Sequence, residues 1–319
     1  MNPYIGNEFQ VYGVEEYTLH GGKAEGVRML HAKNGLGLDM TISLSRNGDI
    51  VSLSYKGKNV SYITPNGIVS SNYYDNKGDG WIKSFTAGFL TTCGYDNVGV
   101  PCVFNGQELG LHGNISHTPV ERFSYDYLDD KIVIKMVVLK EEIFSSKIFR
   151  ERTIEISLKE NKFTINDRFV NRGGEDAPLC LLYHINLGYP LLKEDSILNI
   201  DYESFEPRNE HSRKYMDEHL TMLKPTPNFQ EMCYYHKMKT GTASLYSPSE
   251  KFGIKLSFDK EVLPQFVEWK MMGVRDYVLG LEPGNVTPDG RVENEKAGRV
   301  LYLKPGDTKE YNIEVTLYD

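Results

Sequence analysis

Two side chains capable of proton transfer lie in separate segments of mainly apolar residues. His184 is in LLYHINLGYP (residues 181–190) and Glu282 is in YVLGLEPGN (residues 277–285). Both segments are typical of β-strands. An imidazole and a carboxylate on one sheet can remove a proton from one atom of a substrate while supplying a proton to another. Opening a cyclic hemiacetal requires this pair of transfers, so the two residues indicate sugar chemistry.

The surroundings of these residues support a functional interpretation. Glu282 lies between a leucine and a proline in an otherwise uncharged run, where a carboxylate either has a partner or has a raised pKa. His112 is preceded by leucine and followed by glycine, so a ligand could approach its backbone closely. A lone histidine is more often a structural residue, and four others are interpreted in that way: His20, His31, His211 and His219.

The elements that must position these residues are predicted to be strands. Alternating apolar runs are joined by Asn- and Gly-containing turns, as in SLSRNGDIVSL (residues 43–53) and LYLKPGDTKEYNI (residues 301–313). Helical character is limited to one or two turns within residues 210–223, before two prolines. The pattern predicts an all-β fold, a large antiparallel β-sandwich with a few short helices, forming one domain over residues 1–319.

Composition excludes several classes of function. The formal net charge is −8 and no basic stripe is present, so a nucleic acid is not an expected partner. No run of eighteen apolar residues and no secretory leader pattern is found, so we expect no membrane association and a cytoplasmic location. The four cysteines are scattered without a CxxC pair, and we expect structural free thiols, although Cys93 could be a nucleophile.

A long aperiodic segment interrupts the strand pattern. Residues 66–114 are rich in Gly, Asn, Asp and aromatic residues, and long ordered loops of this kind often carry binding functions. It contains Trp81 and His112. The other reactive side chains fall near turns or strand ends: Arg46, His184, Asn186, Arg208, Trp269, Lys270 and Glu282.

Six strings occur in a characteristic order: SRNGDI, GWIKSFTAGFLTTCG, GLHGNISHTP, YHINLGYPLL, FVEWKMMG and GLEPGN. Together they resemble the aldose 1-epimerase (galactose mutarotase) superfamily, and more closely its bacterial branch of aldose 1-epimerase-like proteins. The resemblance covers most of the chain and implies a β-supersandwich with an open sugar-binding cleft over one concave sheet.

The resemblance also implies roles for particular residues. Glu282 would act as the base that takes the proton of the anomeric hydroxyl, and His184 as the acid that protonates the ring oxygen. Neither a metal nor a nucleotide cofactor would be needed. The side chains expected to bind the substrate are His112, Asn186, Arg46, Trp81, Arg208, Trp269 and Lys270.

The expected partner is a small-molecule sugar or sugar derivative. The Asn-Arg pair that precedes the first histidine in mutarotases is not aligned with a pair in this chain, so the resemblance does not identify the sugar. A cleft containing two or three of Arg46, Arg208 and Lys270 would suit a uronate, phosphorylated or sulfonated sugar. Exposed strand edges would allow a homodimer.

Two other functions remain open from the sequence. One is a metal-dependent sugar isomerase or epimerase, since imidazole and carboxylate groups can bind a divalent ion. The side chains available as its ligands are His112, His117, His184, His236 and Glu282. The other is a carbohydrate-binding protein without turnover, although binding alone does not require an acid and a base.

Overall fold

A computed structural model describes residues 3–319 of the chain. Segments of alternating apolar and polar residues, separated by Gly- and Asn-rich turns, form 22 strands in this part of the chain. They are β1 (Gly13–Thr18), β2 (Arg28–Lys33), β3 (Leu38–Ser43), β4 (Asp49–Tyr55), β5 (Lys58–Asn59), β6 (Tyr62–Ile63), β7 (Ala87–Gly88), β8 (Leu90–Tyr95), β9 (Cys102–Phe104), β10 (Gln107–Leu109), β11 (Arg122–Tyr127), β12 (Lys131–Glu141), β13 (Lys147–Ser157), β14 (Lys162–Asn171), β15 (Ala177–Leu187), β16 (Ile197–Pro207), β17 (Met232–Ser247), β18 (Phe252–Phe258), β19 (Gln265–Met272), β20 (Tyr277–Gly284), β21 (Leu301–Leu303) and β22 (Thr308–Tyr318).

Helical structure is confined to short elements. The two α-helices are α1 (Glu210–Arg213) and α2 (Arg291–Lys296). Single 3₁₀ turns occur at Glu8–Gln10, Gly22–Ala24, Ser71–Tyr73, Gly80–Ser84, Ile115–His117 and Met216–Glu218. The turns predicted within residues 210–223 therefore correspond to α1 and the last of these 3₁₀ turns. None of the helices in residues 3–319 is both long and apolar enough to cross a membrane.

The paired strands are antiparallel and most belong to two sheets. One sheet has the order β1-β2-β3-β4-β5. The other has 13 strands along the path β11-β12-β13-β14-β22-β18-β17-β19-β20-β15-β21, with β16 on β17 and β8 on β15. The prediction of a large antiparallel β-sandwich with a few short helices is confirmed.

The hydrophobic core lies between these sheets. It combines apolar side chains of the five-stranded sheet, such as Leu30 and Met40, with side chains of the large sheet, such as Ile134 and Ile313. A second, smaller apolar cluster lies on the other face of β15 and β19 and includes Trp81, Phe85, Leu182 and Val267. Because successive residues of a strand point to opposite faces, neighbouring residues of β15 enter different clusters.

Candidate active site

His184 and Glu282 lie side by side on the face of the large sheet that bears the smaller apolar cluster. The antiparallel pairing of Leu182 with Gly284 and of Ile185 with Leu281 sets His184 opposite Glu282 across β15 and β20. His184 Nδ1 is 3.4 Å from Glu282 Oε1. The two residues are 5% and 2% exposed, so both are almost removed from water without being sealed from it.

Gly280 makes room for this pair. Gly280 is two residues before Glu282 on β20 and therefore on the same face. A Cβ atom at this position would overlap Glu282 Oε1 and would lie 3.1 Å from the side chain of Trp269. The glycine in the GLEPG string thus lets the carboxylate lie against the backbone beneath an indole ring, a role that the sequence analysis did not assign.

Burial shifts the pKa values of both His184 and Glu282 so that the neutral form of each is favoured. Desolvation lowers the pKa of His184 to about 4. Desolvation also raises the pKa of Glu282 well above its ordinary value, and the nearby Glu231 carboxylate adds to this effect while Arg208 opposes it. Burial therefore favours a neutral imidazole and a protonated carboxyl group in the resting pair, which together carry one transferable proton between two facing groups.

His112 reaches the same site from the segment at residues 110–117. Its backbone has φ 56°, a conformation that few side chains other than Asn, Asp and His adopt. Hydrogen bonds from Gly94 N to His112 O (3.0 Å) and from His112 N to Gly99 O (2.9 Å) hold this conformation. Its ring lies 5.6 Å, centroid to centroid, from that of His184. Strained backbone of this kind is often found at functional sites.

The hydrogen bonds of His112 fix which of its ring nitrogens can donate. Gly99 N donates to Nδ1 at 3.3 Å, so in the neutral imidazole the hydrogen is on Nε2. Desolvation lowers the pKa of His112 well below the usual histidine value, and the charges of His184 and Arg208 act in the same direction. His112 is therefore a neutral hydrogen-bond donor at the site.

Aromatic rings surround the two histidines. Phe85 lies 5.5 Å from the His184 ring, and Trp81 stacks on Phe85 at 4.3 Å and lies 4.8 Å from His112. Trp81 is buried and its Nε1–H donates to Ser116 Oγ at 3.0 Å, so it supports His112 from behind. Trp269 is partly exposed and stands edge-on to His184 at 5.3 Å. Of the two tryptophans, Trp269 is the one with a face available to a ligand.

Asn186 lies on the same face as His184, two residues along β15. It is fully buried, and its Nδ2 donates to the backbone oxygen of His184 at 2.8 Å. Its Oδ1 has no hydrogen-bond partner, and neither does His184 Nδ1 or Glu282 Oε1. Buried polar atoms are nearly always bonded, so these unbonded atoms make His184, Asn186 and Glu282 candidates for binding a polar ligand.

Three charged side chains form the rim of the site. Arg208 Nε is 3.3 Å from Asp289 Oδ1, and Arg208 Nη2 donates to Pro288 O at 2.8 Å. Tyr235 also donates to Asp289 Oδ1, at 2.6 Å. Glu231 is exposed and accepts a hydrogen bond from Trp269 Nε1 at 2.8 Å. The rim thus carries two carboxylates and one guanidinium.

The structure places two of the expected substrate-binding residues away from this cluster. Arg46 is buried and donates to the backbone oxygens of Ser84, Val69 and Ser116, to Thr86 Oγ1 and to His117. It therefore holds together the segments on either side of Trp81. Lys270 Nζ donates to the backbone oxygens of Glu218, His219 and Thr221 on the opposite face of the sheet. The physical reason is alternation, since Lys270 follows Trp269 on β19.

Two of the five side chains proposed as metal ligands, His117 and His236, lie away from the other three. His117 is bonded to Arg46 and Ser84 and stacked on Tyr74. His236 pairs with Glu268 at 2.9 Å on the opposite face of the sheet from Glu282. Within residues 3–319, no group of three or more His, Cys, Asp or Glu side chains is arranged to hold a metal ion. The expected residues that do lie together are His112, His184, Asn186, Arg208, Trp269 and Glu282, with Trp81 behind them.

The fold and this site define a galactose mutarotase-like β-sandwich with a histidine–glutamate pair on one sheet. The chain belongs to the family described as "Domain of unknown function (DUF4432)", whose model matches residues 24–317. No curated protein is similar enough in sequence to match the chain.

Solved structures with the same fold include proteins described as aldose or galactose 1-epimerases or as mutarotase-like. A Klebsiella pneumoniae protein provisionally described as an aldose 1-epimerase is 24% identical, with a TM-score of 0.90 over 98% of this chain and 86% of its own. A galactose mutarotase-like protein from Clostridium acetobutylicum has a TM-score of 0.72 at 14% identity, covering 97% of this chain and 99% of its own. Galactose 1-epimerase from Lactobacillus acidophilus has a TM-score of 0.66 at 12% identity, covering 96% and 99%. At these identities the likeness establishes the fold.

Proposed function

We propose that the chain is an isomerase of the aldose 1-epimerase type that interconverts the anomers of a monosaccharide through His184 and Glu282. The observation that carries the proposal is the 3.4 Å approach of His184 Nδ1 to Glu282 Oε1 among unbonded polar atoms. An acid and a base in contact at an aromatic-lined site suit a reaction that moves protons between two oxygens of one small molecule.

The resting protonation state suggests how the pair works. The neutral pair carries its shared proton on Glu282, which can donate it to His184 Nδ1, so the hydrogen of the imidazole is on Nε2. Nε2 lies across the ring from Glu282 and is the nitrogen left to face the substrate. The pair therefore offers a donor at Nε2 and, on the carboxyl group, an oxygen that accepts once its proton has moved to Nδ1.

Ring opening can then proceed as a balanced relay. The His184 Nε2 hydrogen moves to the ring oxygen while the Glu282 proton moves to Nδ1, and the second oxygen of Glu282 takes the proton of the anomeric hydroxyl. The bond between the anomeric carbon and the ring oxygen breaks with its electron pair going to that oxygen, and a carbonyl forms. Rotation and the reverse transfers close the other anomer, with His184 as acid and Glu282 as base in the opening step.

His112 and Asn186 would hold the sugar during these transfers. His112 offers an Nε2–H donor, and Asn186 offers the acceptor Oδ1, which has no partner in the protein. One donor and one acceptor fix a hydroxyl-bearing ring more closely than either would alone. The partly exposed face of Trp269 would cover the apolar face of the ring.

Exchange NMR on a panel of aldoses and ketoses tests the proposal. We expect the wild-type protein to accelerate anomer exchange of at least one sugar and His184→Gln to reduce that rate by about 10²–10⁴-fold. His31→Gln is the control, because His31 lies on the five-stranded sheet and pairs with Asp39. Sugar binding without any acceleration would contradict the proposal and would favour a binding protein without turnover.

A further inference from the structure

The basic side chains that could bind an acidic sugar are largely engaged within the protein. Arg46 and Lys270 are buried and donate to backbone oxygens away from the site. Arg208 is the basic side chain whose charge reaches His112 and Glu282, and it is paired with Asp289. The site therefore has little free positive charge to attract a carboxylate, phosphate or sulfonate.

Glu231 places a negative charge at the same site. It is the last residue before β17, and its Oε2 accepts the indole hydrogen of Trp269 at 2.8 Å. Trp269 in turn stands 5.3 Å from the His184 ring, so the hydrogen bond fixes the carboxylate beside the aromatic face available to a ligand. The charge also acts on Glu282, whose pKa it raises.

We propose that Glu231 is a specificity-determining residue that restricts the site to uncharged sugars while holding Trp269 in place. This inference rests on the proposed function, because it names the substrate class of the same site. Two rim carboxylates face one guanidinium, so an anionic sugar meets net repulsion in a partly desolvated cleft. The repulsion acts on uronates, sugar phosphates and sulfonated sugars alike.

Glu231→Gln separates the charge from the hydrogen bond, since glutamine retains an oxygen that can accept from Trp269 Nε1. The measured quantity is the ratio of kcat/KM for galacturonate and glucuronate to kcat/KM for galactose and glucose. We expect the substitution to raise this ratio by about 10-fold at low ionic strength and by less at high ionic strength. Trp269→Phe, which keeps an aromatic ring but loses the donor, is expected to raise KM for both classes with a smaller change in the ratio.

The control is Glu310→Gln on β22, an exposed carboxylate four strands from β20 in the sheet order, which leaves the ratio unchanged. A wild-type protein that turns over uronates as efficiently as neutral sugars would overturn the inference, and so would an unchanged ratio in Glu231→Gln. If no sugar is isomerised, the proposed function fails separately. The charge selectivity is then read from dissociation constants of the same sugars by ligand-observed NMR, with the same expected ratio.

Discussion

Tyr183 and His184 are neighbours in the chain, but their side chains lie on opposite faces of β15 and enter two buried polar clusters of opposite character. Tyr183 belongs to a cluster with Arg152 and Asp167, in which Arg152 Nε and Nη2 donate to the two Asp167 oxygens at 2.8 and 2.6 Å. Tyr183 Oη adds a hydrogen bond to Asp167 Oδ2 at 2.9 Å. On the other face, no guanidinium pairs with His184 or Glu282, and the two side chains approach each other at 3.4 Å.

The first cluster is completed by hydrogen bonds from two further elements. Arg152 Nη1 donates to Asp49 Oδ1 at 2.8 Å and Nη2 to Thr92 Oγ1 at 2.8 Å, while Thr92 N donates to Asp49 Oδ2 at 2.9 Å. Desolvation acts to raise the pKa of Asp167, but the charges of Arg152 and Arg150 and the hydrogen bonds from Arg152 and Tyr183 together lower it. The pKa of Glu282 is raised because its burial, together with the charge of Glu231, outweighs the opposing charge of Arg208. Burial of a charged group therefore does not by itself identify a functional site.

The largest expected effect distinguishes a buried carboxyl group that acts in catalysis from one that stabilises the fold. Glu282→Gln is expected to lower kcat for anomer exchange by about 10²–10⁴-fold, because it removes the proton-accepting oxygen, without any loss of thermal stability. The matched control is Glu268→Gln on the neighbouring strand, whose buried carboxylate faces away from the site and pairs with His236. We expect that variant to lose stability and to retain kcat. Equal losses of kcat in both variants would contradict the assignment.

Asp167→Asn should have the opposite signature. It leaves the buried Arg152 without its main counter-charge, and removing one partner of a buried pair costs about 3–5 kcal/mol. Urea denaturation measures the free energy of unfolding, and exchange NMR under native conditions measures kcat. We expect the folded fraction to retain nearly wild-type kcat. A stable Asp167→Asn protein with a large loss of kcat would show that the two faces of β15 are coupled.

The comparison also bears on what the sequence could predict. The strand segments were predicted correctly, but the turn at residues 304–307 joins β21 and β22, which do not pair with each other. The structure brings His184 and Glu282 together. Lys270 could have been excluded in advance, because adjacent residues of FVEWKMMG cannot both face the cleft once Trp269 does. The engagement of Arg46 by backbone oxygens distant in the chain could not have been predicted, since those contacts exist only after the long segment folds.

Three contributors to the site carried weaker signals. The role of Gly280 could have been predicted, because strand alternation puts it on the same face as Glu282 and a glycine inside a strand often marks a close approach. Phe85 lies in GWIKSFTAGFLTTCG, one of the six strings that carry the family resemblance, but nothing in the spacing of that string indicates contact with His184. Glu231 precedes a strand and reads as an ordinary exposed charge until its hydrogen bond with Trp269 is seen.

Lys270→Met tests whether a buried cation with all its hydrogen bonds made contributes to stability, as Asp167 does, or to activity, as Glu282 does. The ammonium group donates to three backbone oxygens in residues 218–221, and its loss removes a hydrogen bond from each of them. We expect the free energy of unfolding to fall by about 2–3 kcal/mol, measured by urea denaturation, with no change in preference between neutral and acidic sugars. A wild-type stability combined with a changed preference would return Lys270 to the substrate-binding residues.

The smallest expected effect is a pH dependence of stability to which the buried Glu282 carboxyl group contributes. The pKa of Glu282 is raised in the folded protein, so its stabilisation is complete below the ordinary glutamate pKa and is lost as the pH rises through the folded-state pKa. The free energy of unfolding of wild type should therefore fall relative to Glu282→Gln from about pH 4.5 upward, by at most about 1.4 kcal/mol per pH unit. His184 has the opposite dependence, since its pKa of about 4 makes the protein gain stability as the pH rises toward 6.5. Because His184 is present in both proteins, the difference between their urea denaturation curves at several pH values reports Glu282, and a constant difference would mean that this carboxyl group is ionised in the folded protein.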